Sequence, residues 1–205
     1  MWSNCVVSRT LRVSPALVRV AAACAAAGLL VGCATPGGSG PVGLEDRRFD
    51  RAAAALEAGV EQEALELLQD LAVDYPALAG PLINLGIVHA AAGRDAEAEA
   101  EYRRALEVAP RHPAAWAELG IVLRRQGRLA EAEEAYRQAL AADPEYPLAW
   151  RNRGVLLDLY LGRPGEALEC YQRYLELIGG RDADPQVARW VAELELRSGS
   201  RVAGR

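Results

Sequence analysis

The chain has 205 residues, 51% of them hydrophobic and 25% charged, which is enough for one modest domain or a short repeat array and excludes a large multidomain enzyme. All 23 basic residues are Arg, against 28 acids, and no acid precedes Glu45; without the first 32 residues the remainder holds 20 Arg against 28 acids, a formal balance of −8. A general affinity for nucleic-acid backbones is excluded on that balance. One Phe and one Met against four Trp, seven Tyr and many Ala point to closely spaced helices, an all-α chain.

In chain order, Met1 to Arg19 is basic and acid-free, and Val20 to Val31 is an apolar run of twelve. That is the n-region and h-region of a secretory signal, and the run is shorter than the ~18 residues a membrane-crossing helix needs. It ends in Leu30-Val31-Gly32-Cys33, which resembles the lipobox of bacterial lipoproteins. The resemblance implies a signal peptide over 1–32 and acylation of Cys33 as the mature N-terminus. Ala34, where an inner-membrane retention signal would place Asp, implies sorting to the outer membrane, periplasmic face. Several acyl chains would hold the protein durably to a bilayer. Ala34 to Leu44, with its Thr35-Pro36-Gly37-Gly38-Ser39-Gly40-Pro41 core, reads as a tether of at most about 40 Å; the linker unit is thus 33–44.

Once Cys5 and Cys24 leave with the signal and Cys33 is acylated, Cys170 stands alone, so no internal disulfide is expected. Its neighbours Leu168, Tyr171 and Leu175 suit a helix core, and it reads as a small buried hydrophobe.

From Glu45 onward the chain repeats at a period of 34: Gly59, Gly93, Gly127; Ala64, Ala98, Ala132; Pro76, Pro110, Pro144; Leu82, Trp116, Trp150; Gly86, Gly120, Gly154; and Tyr102, Tyr136, with Tyr171 one residue late. These columns resemble the tetratricopeptide repeat. The resemblance implies a right-handed α-solenoid of about four helical hairpins over 45–78, 79–112, 113–146 and 147–179. The first unit departs from the pattern, with Arg48, Arg51 and Ala52 in three of its columns. The fourth has Arg153 in a Leu column, an extra residue near Leu161-Gly162, and Gly179 where Pro would stand. Small residues such as Gly86 and Ala98 allow helices to approach closely. The Tyr column is expected to fill the gap between consecutive units, and Pro110 and Pro144 to stop each second helix. Gly93 and Gly127 fall at the turn inside a unit, where a positive φ suits a residue without Cβ. Asp184-Pro185 reads as an N-cap and first helical position, with Val187, Trp190, Val191 and Leu194 on one face of a capping helix within 180–205, and a frayed tail from Ser198.

In this family one arc of each first helix lines a concave groove for partner peptides or helices. The resemblance places there Ile83, Asn84, Ile87, Ala117, Ile121, Arg124, Arg125, Arg151, Asn152 and Val155, an apolar stripe with a basic edge. Chaperone-binding members grip a terminal carboxylate with Lys and Asn of their first unit; Phe49 and Ala53 stand in those places, so the expected ligand is an extended or helical segment with acidic side chains facing Arg. The competing reading is that the stripe packs on the protein's own helices. His89 and His112 lack ligand spacing with any Cys or acid, and no HExxH, GxSxG or P-loop occurs, so no metal, cofactor or catalytic residue is expected. The Glu-rich stretches Glu97 to Glu101 and Glu131 to Glu134 read as a solvated outer face.

The expected function is a noncatalytic, lipid-anchored adaptor for another envelope protein, resembling pilus-assembly and secretin accessory lipoproteins. Alternatives are another envelope system, such as outer-membrane protein assembly, peptidoglycan enzymes or a trans-envelope motor; self-association; and, last, an enzyme or small-ligand binder.

Overall fold

The computed structural model describes residues 45–203, with side-chain surroundings for 47–197. Among them are nine helices and no strand: α1 Glu45–Glu57, α2 Glu61–Asp74, α3 Ala79–Ala91, α4 Asp95–Val108, α5 Pro113–Arg125, α6 Leu129–Ala142, α7 Pro147–Leu159, α8 Pro164–Leu177 and α9 Pro185–Ala203. The signal segment, Cys33 and the linker lie outside the described residues. Each helix packs on the next, and α3 also touches α5, as α5 touches α7. The odd-numbered helices are therefore the closer layer, which makes theirs the concave side of a stack of four hairpins. The divergent first unit is a hairpin like the others.

Each hairpin turns on a left-handed glycine: Gly59, Gly93, Gly127 and Gly162, at φ of 75, 76, 79 and 62°. At Gly93 the next amide, Arg94 N, closes back on His89 O at 2.9 Å, and Arg128 N does the same on Leu123 O at 2.9 Å. These bonds satisfy orphan carbonyls at the helix end and reverse the chain in a few residues. The outer helices α4 and α6 stop at Val108 and Ala142, two residues short of Pro110 and Pro144.

The Tyr column packs on the glycines of the inner helices. A Cβ added to Gly86 would stand 2.4 Å from Tyr102 Cε1, one at Gly120 2.5 Å from Tyr136 Cε1, and one at Gly154 2.6 Å from Tyr171 Cε1. Each ring thus fills the space over the glycine of its own hairpin, joining inner to outer helix, while the Tyr102 and Tyr136 hydroxyls face groups of the next unit, Glu118 and Tyr160 among them. Tyrosine needs that missing side chain because the two backbones already lie too close for both.

Consecutive units are tied by polar columns. Trp116 Nε1 donates to Pro110 O and Trp150 Nε1 to Pro144 O, both at 2.8 Å. At the start of each outer helix from the second unit on an Arg reaches back one unit: Arg94 to Glu61 at 2.5 Å, Arg128 to Glu99 at 2.7 Å and Arg163 to Glu133 at 2.8 Å. Arg128 and Arg163 also hold the acid three residues on, Glu131 and Glu166. Glu99 therefore belongs to an inter-unit ion pair, and Glu131 lies 3.9 Å from Arg103 of the preceding unit, so neither is on a merely solvated face.

Helix α9 closes the stack. Asp184 Oδ1 accepts from Gln186 N and Val187 N at 3.1 Å, while Val187, Val191 and Leu194 are buried and Trp190 meets Tyr171 at 5.4 Å between ring centroids. The helix runs on through Ala203, so the expected loss of structure from Ser198 does not occur over 198–203.

Candidate functional site

The concave layer is built from α1, α3, α5 and α7, whose exposed arcs are set by the same columns that bury their other side. Ile87, Ile121 and Val155 recur one period apart and are all half-buried, one per inner helix. Arg124, Arg151 and Asn152 are half-buried beside them, and Arg125 is exposed at the rim. A shallow depression of about 170 Å³ opens at the first junction, lined by Leu56, Gly59, Glu61, Ile87, Val88, Ala91 and Ala92.

Three residues expected on the groove surface are under it instead. Ile83 and Asn84 are 1% and 2% exposed, and Ala117 is 1% exposed, packed with Ala139 and Ala149. Asn84 Nδ2 donates to Gly80 O at 3.0 Å, inside its own helix. Neighbouring hairpins curve over this part of the arc, with Phe49 of α1 reaching Gly80. These positions support the wall and cannot touch a partner.

The basic edge also differs from expectation, because most of it is already paired. Arg125 donates to Ala90 O at 3.1 Å and forms a close ion pair with Asp95. Arg151 lies 3.9 Å from Asp184 and 5.9 Å over the Trp190 ring. Arg125 ties the third unit to the second, and Arg151 ties the fourth to the closing helix α9 and its cap. Arg124 is the exception: its Nη1 donates to Tyr160 Oη at 2.9 Å, its guanidinium lies 5.2 Å from that ring, and it forms no ion pair with any described residue. Tyr160 and Leu159, 47% and 69% exposed, stand where the other units carry Ala, Glu, Arg or Gln, so the groove rim is locally apolar at the fourth turn.

Glu118 completes the column of Asn84 and Asn152 and was missed by sequence reasoning, although its spacing of 34 from each was legible. Burial pushes its carboxyl up to about 7 against the opposing pull of Arg125, so near neutrality it is half protonated and suited to a largely apolar wall.

The groups considered for chemistry are structural. Arg94 Nε donates to His89 Nδ1 at 3.0 Å, and His112 Nδ1 accepts from Ala115 N at 3.4 Å as the N-cap of α5. Cys170 is buried with Arg153 Nη1 3.6 Å from its sulfur; burial raises the thiol to about 11 despite that cation, which makes it a poor nucleophile. Among the described residues no group of His, Cys, Asp and Glu could hold a metal ion, and no helix is long and apolar enough to cross a membrane.

The family model described as tetratricopeptide repeat matches residues 83–147 and 123–188. No curated protein sequence matches the chain. Among solved structures it is similar to PilF of Pseudomonas aeruginosa, at 24% identity over 77% of this chain and 70% of that one, with a TM-score of 0.67. It is also similar to MamA, residue 41 to the end, from Desulfovibrio magneticus RS-1, at 22% identity over 76% and 85%, with a TM-score of 0.58. The first repeat domain of Spaghetti (RPAP3), bound to an HSP90 peptide, matches at 22% identity over 59% and 93%, with a TM-score of 0.52.

Proposed function

Because the chain belongs to the tetratricopeptide-repeat family, we propose that it is a noncatalytic adaptor that holds another polypeptide in its concave groove. The observation that carries this reading is the half-open stripe of Ile87, Ile121 and Val155 on three successive inner helices. Apolar side chains left partly exposed in a row, on the concave side of a rigid stack, offer a partner area to bury. The tests are Ile121→Glu and Val155→Glu: each puts a charge at the half-exposed groove surface, so each should abolish partner binding while leaving helicity intact. Retained binding would move the interface elsewhere.

We further propose that Cys33 carries acyl chains that tether the adaptor to the outer membrane on its periplasmic side. Support comes from the signal-like segment and the four-residue box ending at Cys33. The partner is then another envelope protein, and assembly or localisation of a pilus secretin is the machine we favour. The likeness to PilF is a likeness of fold. Other envelope systems are separated from this one by identifying what the groove captures.

A further inference from the structure

We infer that the junction of the third and fourth hairpins is a subsite for one side-chain carboxylate of a polypeptide lying in the groove, formed by the Arg124 guanidinium and the exposed hydroxyl of Tyr160; it rests on the groove reading above and adds which chemical group the partner presents there.

Arg124 lacks a counter-ion that comparable cations here possess. Arg125 has Asp95, Arg151 has Asp184, and Arg153 and Arg163 share Glu133 and Glu166. Arg124 is half-buried, its Nε is inaccessible and unpartnered, and among the described residues no carboxylate comes within 4.0 Å of it. Asp158, in the same column one unit on, stays outside that range and faces Arg197 and Glu193 of α9. A partly desolvated cation without an anion is costly, and an incoming carboxylate removes that cost.

A buried tyrosine and an exposed one meet the same guanidinium. Tyr136 is fully buried with the Arg124 charge beside its hydroxyl, so it backs the guanidinium from inside the wall, where no partner atom reaches. Tyr160 Oη accepts from Arg124 Nη1, which leaves its own proton to donate. A guanidinium edge and the exposed Tyr160 O–H on one spot match the two oxygens of a carboxylate. Phe49 and Ala53 stand where a terminal-carboxylate clamp would place Lys and Asn, so the anion assigned here is an Asp or Glu side chain within a segment. Ile121, Val155 and exposed Leu159 flank the spot, so the residues beside that acid are aliphatic.

The test is an array of aliphatic decapeptides, acetylated and amidated at their ends, each with a single Glu at a scanned position and a Gln twin, probed with the full chain in detergent. At least one Glu peptide should bind about tenfold tighter than its twin, the scale of a charge-assisted pair. Arg124→Gln should erase that preference. Tyr160→Phe, which removes the exposed hydroxyl and keeps the ring beside the guanidinium, should keep the fold and cut the preference about threefold. An array in which no Glu peptide outbinds its twin overturns the subsite, as does a preference that survives Arg124→Gln, or tighter binding of unblocked C-termini than of internal Glu. Ile121→Glu separates the two readings: peptide binding that it abolishes, but without Glu preference, sinks the subsite alone, whereas binding it leaves unchanged sinks the groove.

Discussion

Gly120 and Tyr136 share one volume: any Cβ on the glycine would stand 2.5 Å from the tyrosine ring. Gly120→Ala must therefore displace a fully buried ring or separate α5 from α6. The cost expected is about 2 kcal/mol, the scale of overpacking a close-packed core. Thermal unfolding followed by circular dichroism measures it, and the double variant Gly120→Ala with Tyr136→Leu should recover part of the loss because the two sites are coupled. Additive losses would show that the contact is not limiting.

Glu118 gives a pH dependence of stated sign. Its folded carboxyl is raised to about 7 by burial, from an ordinary value of 4.5. The folded state thus binds the proton more tightly than the unfolded one, and the contribution is complete below about pH 4.5 and lost as pH rises through 7. Glu118→Gln should be more stable than the parent at pH 8 and match it at pH 4.5. Parallel stability curves would place this carboxylate in solvent.

Glu99 acts in the opposite direction. Burial alone would raise its carboxyl, but hydrogen bonds from Arg128 and Arg103 outweigh that and hold it below its ordinary 4.5. Glu131 and Glu166 are held low in the same way, by Arg128 and Arg163. Stability from these ties is present above pH 4.5 and falls away as pH drops through the lowered values. Unfolding midpoints measured from pH 5 down to 3 should fall less steeply in Glu99→Gln than in the parent, and 1 M salt should narrow the difference.

Much of this architecture was legible in the sequence, because a residue such as Gly86 or Pro110 constrains the backbone wherever it recurs. The groove surface was less so. Whether Ile83, Asn84 and Ala117 face solvent depends on how far the adjacent hairpin curves over them, which spacing within one helix does not reveal. The fate of Arg125 and Arg151 was hidden for a similar reason, since Asp95 and Asp184 lie about 30 residues away and meet them only after stacking. The ladder of Arg94, Arg128 and Arg163 was within reach, as Arg recurs before each outer helix from the second unit on, but its partners lie in the preceding unit. Helix α9 outlasted its apolar pattern, which ends near Leu194 while the backbone hydrogen bonding runs on to Ala203.

Acylation at Cys33 is open to direct labelling. Radiolabelled palmitate should enter the parent chain expressed in a Gram-negative host, and Cys33→Ala should remove the label and release the protein from the membrane fraction. Incorporation that persists in Cys33→Ala would assign the lipid to another residue.

The central claim is that the concave wall receives a polypeptide. A photo-crosslinking amino acid placed in turn at Ile87, Ile121 and Val155, with Val73 on outer helix α2 as the control, reads this in intact cells. All three groove positions should yield the same crosslinked protein, and Val73 should yield none of it. Crosslinks to that partner from Val73 and silence along the three groove positions would contradict the account.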